Sequence, residues 1–308
     1  MRATLFSRHP LLASGLILVD KPEGPSSAHV VHKVKMLFGA KKVGHLGTLD
    51  PFASGLLLLG VNEGTKIADI FLSASKTYRG IMMLGVTTDS QDATGNVLET
   101  RPVLDIDASA IAAVEQRFTG DLRQVPPMFS ALKRDGVRLY RLARQGREIP
   151  REPRSIHIES LCLKKASGVE IEFEVTCSRG TYVRTLAADM GAFLGCGAHL
   201  KSLRRTVCGP LTVSDAMSLD QLEHLDPKQG PPLLSLAAAL GHVPAVVWEP
   251  RLLQRLRLGQ QELLESIGRP SGHERWMRIL DGRGSLAALA EWNHERTAGR
   301  WRLFRVFS

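Results

Sequence analysis

The segment VEIEFEVTC (residues 169–177) runs through SRGTY (178–182) into VRTLAADMGAFLG (183–195). In its first part Val169, Ile171, Phe173, Val175 and Cys177 alternate with Glu170, Glu172, Glu174 and Thr176. A period of two sends one set to a core and the other to water, which predicts a half-buried strand. In its last part Val183, Leu186, Ala187, Met190 and Leu194 recur at helical spacing, and Gly195 closes the helix. A strand therefore turns tightly into a helix. Tyr182 and Arg184 stand at that junction, from which side chains commonly project into a cleft.

The same reading extends outward. Gly15 to Val19 is a compact apolar run that predicts a buried strand, ended by Asp20-Lys21-Pro22. Ser26 or Ser27 then caps a helix carrying Val30, Val31, Val34, Leu37 and Phe38 on one face. Thr77 to Val86 reads as a strand. Ala108 to Phe118, with Ile111, Val114 and Phe118 in step, reads as a helix closed by Gly120. Gly230-Pro231-Pro232 breaks the pattern. The tail beyond has short apolar runs and holds Trp276, Trp292 and Trp301, which suits a small, largely β unit. The expected organisation is a disordered lead-in over 1–14, a main domain over 15–230 with an insert at about 124–154, and a C-terminal domain over 231–308.

With 308 residues, 44% hydrophobic and 23% charged, the chain has the composition of an ordinary folded protein. No apolar run approaches the roughly 18–20 residues of a membrane-spanning helix. Met1 to Ser14 lacks the apolar core of a signal peptide, so a cytoplasmic protein is expected. The 40 Lys+Arg against 31 Asp+Glu leave a net charge of +9. That excess favours an acidic partner, nucleic acid first. Cys162, Cys177, Cys196 and Cys208 form no C-x-x-C pair, so free and mostly buried thiols are expected and structural zinc is not.

Basic residues concentrate at Lys133, Arg134, Arg138, Arg141, Arg144, Arg147, Arg151 and Arg154, opposed only by Asp135, Glu148 and Glu152. On a helix, Arg138, Arg141, Arg144 and Arg147 would stay on one broad side. A plain solvated face would look similar, but guanidinium groups bind phosphate oxygens in pairs and release counterions, so the array suits a phosphate backbone. Gly44-His45-Leu46-Gly47-Thr48-Leu49-Asp50-Pro51 is the other dense segment. Its glycines allow close approach to a ligand, and His45 and Asp50 could reach one cavity. A simple turn capped by Asp50 is the bland alternative. It is no phosphate loop, since G-x-x-x-x-G-K-[ST] is absent. Thr87 to Asp92 has the wrong acidic spacing for an EF-hand.

The segment Gly44 to Gly55, continuing to Asn62-Glu63-Gly64-Thr65-Lys66, resembles the signature of the TruB-type tRNA pseudouridine synthases. So do Val19-Asp20-Lys21-Pro22, Lys76-Thr77-Tyr78 with Thr88-Asp89-Ser90, Gln124 to Ala131, Cys177 to Arg184, and Gly197-Ala198-His199 with Leu203-Arg204-Arg205. The blocks keep the family's order from about residue 15 to 210. Leu46 departs from the small or hydroxyl residue expected there, and the tail matches weakly.

The resemblance implies an α/β (α+β) pseudouridine-synthase fold with a mixed, mainly antiparallel central sheet, plus a small β-rich, PUA-like RNA-binding domain. It implies isomerisation of uridine 55 in the T-arm of tRNA to pseudouridine, with no cofactor and no metal. It implies no membrane, no obligate protein partner and a monomer. Asp50 matches the catalytic acid. Attack at C1′, attack at the base and a glycal route all fit, and family usage makes Asp50 the nucleophile. Arg184 matches the arginine that keeps this acid ionised in a poorly solvated pocket. Tyr78 matches the tyrosine that stacks on the target base, with a hydroxyl that could shuttle a proton. Among the substrate-binding residues, His45 is expected to hold the rearranged loop by stacking or hydrogen bonding, Tyr182 to border the pocket and bond substrate or Asp50, Leu203 to line it, and Lys21 to fix the architecture around the site or touch the backbone. The basic stretch becomes a clamp over the T-arm. Two rivals remain: an RNA-binding chaperone that folds tRNA with dispensable chemistry, and an RNA-guided modifier of ribosomal RNA.

Overall fold

The run Leu56-Leu57-Leu58-Leu59 has no polar face, because the strand that holds it is buried on both sides. Around it the chain is laid out in a computed structural model that describes residues 11–130, 132–134, 136–143, 145–226, 230–270, 272, 274–293 and 299–308. In order, the elements up to residue 223 are β1 (Gly15–Lys21), α1 (Ser27–Phe38), β2 (Val43–His45), β3 (Ser54–Val61), α2 (Ala68–Ser73), β4 (Lys76–Leu84), β5 (Val86–Thr88), β6 (Val97–Thr100), α3 (Ala108–Phe118), β7 (Gly120–Gln124), β8 (Lys133–Arg134), β9 (Val137–Arg138), α4 (Leu139–Ala143), β10 (Arg154–Ser167), β11 (Glu170–Cys177), α5 (Val183–Phe193), β12 (Ala198–Cys208), β13 (Leu211–Thr212), β14 (Met217–Ser218) and α6 (Leu219–Glu223). The tail adds α7 (Leu236–Ala239), β15 (Ala245–Val247), α8 (Pro250–Arg257), β16 (Trp276–Leu280), β17 (Leu286–Asn293) and β18 (Arg300–Val306).

A 10-stranded sheet in the order β14-β1-β3-β12-β4-β11-β10-β7, with β2 on β3 and β13 on β12, forms the frame. The β1–β14 and β3–β12 pairings are parallel and the others antiparallel, which is the mixed, mainly antiparallel sheet expected. Odd-numbered residues of β1 and β3 join Met82, Phe173, Val175 and Leu203 in one apolar layer under α1, α3 and α5. Even-numbered ones, Leu16, Leu18, Leu56 and Leu58, form a second layer with α2 and with Leu236, Trp276, Leu289 and Phe307 of the tail. The tail's four strands pair as β15-β16-β17-β18. Leu16 and Leu234 exchange backbone hydrogen bonds of 2.8 Å, so the tail is stitched to β1 as well as packed on it.

Local signals account for the helices that position the site. Ser26 Oγ accepts from His29 N at the start of α1, and Gly39 closes that helix in the left-handed conformation (φ 62°). Asp107 caps α3 in the same way. Residues 11–14, expected within a disordered lead-in, are instead tied down: Asn62 Nδ2 donates to the Leu11 and Ala13 carbonyls and Leu11 N to Gly39 O. Residues 1–10 lie outside the described residues.

The basic stretch is not one helix. Lys133–Arg134 and Val137–Arg138 form a hairpin about Gly136 (φ 80°), and α4 is a single short turn that ends before Gly146 (φ 70°). The glycines at both ends override the every-third-residue arginine pattern. Cys177, Cys196 and Cys208 are buried, Cys162 is exposed, and all are free thiols. Among the described residues no helix is long and apolar enough to cross a membrane.

Candidate active site

Asp50 lies on the turn between β2 and β3, where Ala53 N bonds back to Asp50 O. Two polar clasps hold this turn. Ser27 Oγ donates to Leu49 O and accepts from Leu49 N, both at 2.8 Å. The fully buried Lys21 ammonium donates to the carbonyls of Pro22 (2.7 Å), Pro25 (2.9 Å) and Pro51 (3.2 Å). Burial pushes the Lys21 ammonium down to about 8, against the pull of Glu23 and Asp50. The Asp50 carboxylate receives Arg184 Nε at 2.9 Å.

Arg184 is the hub. Its side chain is 6% exposed, in the first turn of α5, which has no side-chain cap of its own. Gln124 replaces the cap by clamping Tyr182 from both sides: Gln124 Oε1 accepts from Tyr182 N at 2.9 Å and Nε2 donates to Tyr182 O at 3.1 Å. Arg184 Nη1 donates to Ser90 O at 2.7 Å and Nη2 to Phe129 O at 2.8 Å. The buried Asp92 places Oδ2 at 3.6 Å from Nη1. Asp92 Oδ1 is fixed in turn by the Ser90 and Thr94 hydroxyls and by Thr94 N. Each nitrogen of the fork is thus engaged, by two acids and two carbonyls from three separate segments, which fixes its orientation.

The sheet brings Tyr78 to the same place. On β4 it stands opposite Val175 of β11 and Arg205 of β12, and Arg205 stands opposite Gly55 of β3. Gly55 has φ 98°, and a Cβ there would lie 2.2 Å from Arg205 O, so only glycine lets β3 approach β12 this closely. Burial pushes the Tyr78 phenol up to about 12, which makes it a hydroxyl donor rather than a base. Leu203, two residues before Arg205, is buried on the same face. His45 ends β2, half-buried, with no hydrogen-bond partner for Nδ1. Burial first and Arg205 second hold its ring below the usual histidine range, so it is neutral at pH 7. The half-buried Tyr182 phenol is raised by burial and feels Arg184 and Asp50 among its neighbours.

The structure therefore gathers Asp50, Arg184, Tyr78, Tyr182, Leu203, His45 and Lys21 about one end of the sheet. Asp50 keeps 41% of its side chain accessible, which is wetter than the expected pocket, because its turn forms the outer lip. Asp92 and Gln124 were missed as site residues. Asp92 lies in a segment dismissed for its acidic spacing, and its partner is far along the chain. Arg205 had been quoted only as part of a block, although alternation with Leu203 along a strand puts both on one face. Alternation sends Arg79, Arg204, Glu172 and Glu174 to the opposite face, where they line a concavity of about 760 Å³. Those charges are answered locally by the Arg79–Glu174 and Arg204–Asp20 pairs.

The clamp candidates sit on the segment that follows Phe129 and Ser130, where Tyr140 N bonds to Ser130 O. Arg138, Arg141 and Arg147 are exposed, and Arg141 and Arg138 draw the Tyr140 phenol down between them. The backbone of Lys133 and Arg134 is in β8; Arg144 lies outside the described residues. Among the described residues no cluster of His, Cys, Asp and Glu could hold a metal ion.

Comparison with known proteins places this geometry in context. The model for the TruB family pseudouridylate synthase N-terminal domain matches residues 35–183, and the model for the tRNA pseudouridylate synthase B C-terminal domain matches residues 184–231. The chain is 41% identical over 300 residues to the tRNA pseudouridine synthase B of Syntrophotalea carbinolica, covering 96% of this chain and 98% of that one. It is 45% identical over 294 residues to the protein of the same name from Burkholderia mallei, covering 93% and 94%. Among solved structures, a chain of a Cbf5–Nop10–Gar1 complex superposes with a TM-score of 0.69 over 96% of this chain and 84% of that one, at 24% identity. A chain of an H/ACA RNP bound to a substrate RNA containing 2′-deoxyuridine superposes with a TM-score of 0.68, covering 96% and 85%, at 22% identity. These two likenesses concern the fold.

Proposed function

The chain belongs to the TruB family of pseudouridylate synthases, and from that membership we propose that it isomerises uridine 55 in the T-arm loop of tRNA, with Asp50 as the nucleophile. At the coarser level it is an isomerase that acts on tRNA. The observation that carries the finer reading is the 2.9 Å bond from Arg184 to Asp50, made by an arginine whose other two nitrogens each donate to a backbone carbonyl. A carboxylate so held is aimed, which is what attack at a ribose C1′ requires.

In this account the target uridine is flipped out of its loop, at a cost of a few kcal/mol. Its base stacks on Tyr78 against Leu203, and the neutral His45 helps to hold the rearranged loop. The N1–C1′ bond breaks, the base turns, and C5 joins C1′. Tyr78, with its phenol held protonated, gives a hydrogen bond to the base. Tyr182 walls the pocket, and Lys21 keeps the Asp50 turn in place through the Pro51 carbonyl. Arg138, Arg141 and Arg147, with Lys133, Arg134 and Arg144, supply the clamp on the RNA backbone. The tail, with its β15–β18 sheet, contacts RNA farther from the reaction.

The test is to incubate the purified protein with unmodified tRNA and with a bare T-arm hairpin, and to map each uridine. Conversion of uridine 55 alone, in both substrates and without guide RNA, is the expected result. Conversion elsewhere overturns the assigned position, and conversion that needs a guide favours the RNA-guided alternative.

A further inference from the structure

Four cations are buried among the described residues: Lys21, Lys76, Arg184 and Arg205. Three of them have an evident source of negative potential. Arg184 has Asp50 and Asp92. Lys21 lies in the field of Glu23 and Asp50. Lys76 caps the carbonyls of Phe71, Leu72 and Ala74 at the C-terminal end of α2, where the helix dipole is negative. Arg205 is different. It is 2% exposed and makes no ion pair among the described residues. Its Nε donates to Leu56 O at 2.7 Å, Nη2 to Gly47 O at 3.1 Å and Nη1 to Thr48 O at 3.4 Å, all neutral acceptors. A buried charge without a counter-charge is expensive, so its place beside Tyr78 calls for a reason.

We propose that Arg205 is the counter-charge for the uracil anion, left without an acid of its own because the detached base fills that role during the reaction. The inference rests on the uridine isomerisation described above. As Asp50 bonds to C1′ and N1–C1′ breaks, the electron pair stays on the base, which becomes an anion with its charge spread over N1 and the two carbonyl oxygens. That charge returns to Asp50 when C5 displaces the carboxylate from C1′; C5 then loses its proton and N1 gains one, so the product is an isomer. A positive group set in place beforehand, and not already neutralised, favours the anionic detached base over the bound uridine. The field of Arg205 reaches the two side chains that frame the target nucleotide. It adds to burial in holding the His45 ring neutral, and it opposes burial at the Tyr78 phenol. Arg205 acts through Tyr78 and through space, and so is a positioning residue. Its bonds to Gly47 and Thr48 also fix the backbone that leads to Asp50.

The two duties separate in a leaving-group test. 5-Fluorouracil departs more readily as an anion than uracil does, so a 5-fluorouridine substrate depends less on help for the departing base. Single-turnover loss of the N1–C1′ bond would be followed in T-arm hairpins carrying uridine or 5-fluorouridine at the target. Arg205→Gln is expected to slow the uridine substrate about 100-fold and the fluorinated one about tenfold or less. Equal slowing of both would mean that Arg205 only positions the loop, and would overturn the proposal. Arg205→Lys, which keeps the charge and is the safer variant for folding, is expected to slow both substrates by the same factor. A Lys variant that slows uridine selectively would also overturn it. Wild-type turnover of the uridine hairpin tests the underlying reading separately.

Discussion

Arg184 and Arg205 are both buried beside the Asp50 turn, yet they are answered in opposite ways. Arg184 stands at a helix start and is matched by two carboxylates, Asp50 and Asp92. Arg205 stands in the middle of a sheet and is matched by backbone carbonyls and the Tyr78 phenol, with no acid among the described residues. The difference separates two physical tasks. A guanidinium shared between acids fixes the direction of a side chain. One bound to carbonyls fixes a backbone path and keeps its field available.

Removing Arg184 breaks the first arrangement most severely. Arg184→Met is expected to cost about 3–5 kcal/mol of stability, because it leaves Asp92 buried without its cation. Turnover should fall about 10³-fold; urea melts and single-turnover assays read the two effects. Asp92→Asn is gentler. It keeps the local hydrogen bonds but releases one side of the guanidinium, so turnover should fall about 10- to 100-fold while tRNA affinity stays within about twofold. An unchanged rate would show that Asp50 and the two carbonyls hold Arg184 unaided.

On the Arg205 side, Gly55→Ala forces β3 away from β12 and should cost about 1–3 kcal/mol, read as a fall in melting temperature. The smallest effect concerns Lys21. Its ammonium pKa is lowered by folding to about 8, from 10.5, so between those values the unfolded chain binds more protons and stability gained at this site rises with pH. Lys21→Met removes that dependence. The stability gap between wild type and the variant should therefore widen from pH 8 to pH 10 in urea melts, and a gap that narrows would contradict the sign.

Much of the frame was legible because its signals are local. The alternation of Glu170 to Cys177 needs only the neighbouring residues, as do the caps of α1 and α3. The strand Arg154–Ser167 was hidden by its basic start and polar content, and it is held by partners on either side. The basic stretch misled because a three-residue period of arginine says nothing about the glycines that break a helix. At the site, Asp50 and Arg184 were found through motif resemblance. The second acid on Arg184, Asp92, was not, since a contact between residues 92 and 184 leaves no trace in either segment. Gln124 was invisible for the same reason: its clamp on Tyr182 is set by the sheet's edge strand meeting the start of α5.

The central claim is that Asp50, held by Arg184, does the chemistry. The direct measurement compares Asp50→Asn with wild type in tRNA binding and in pseudouridine formation on the same preparation. The expected result is affinity within about twofold and a rate lower by at least about 10⁴-fold. Pseudouridine formed by the variant at the wild-type rate would contradict the account.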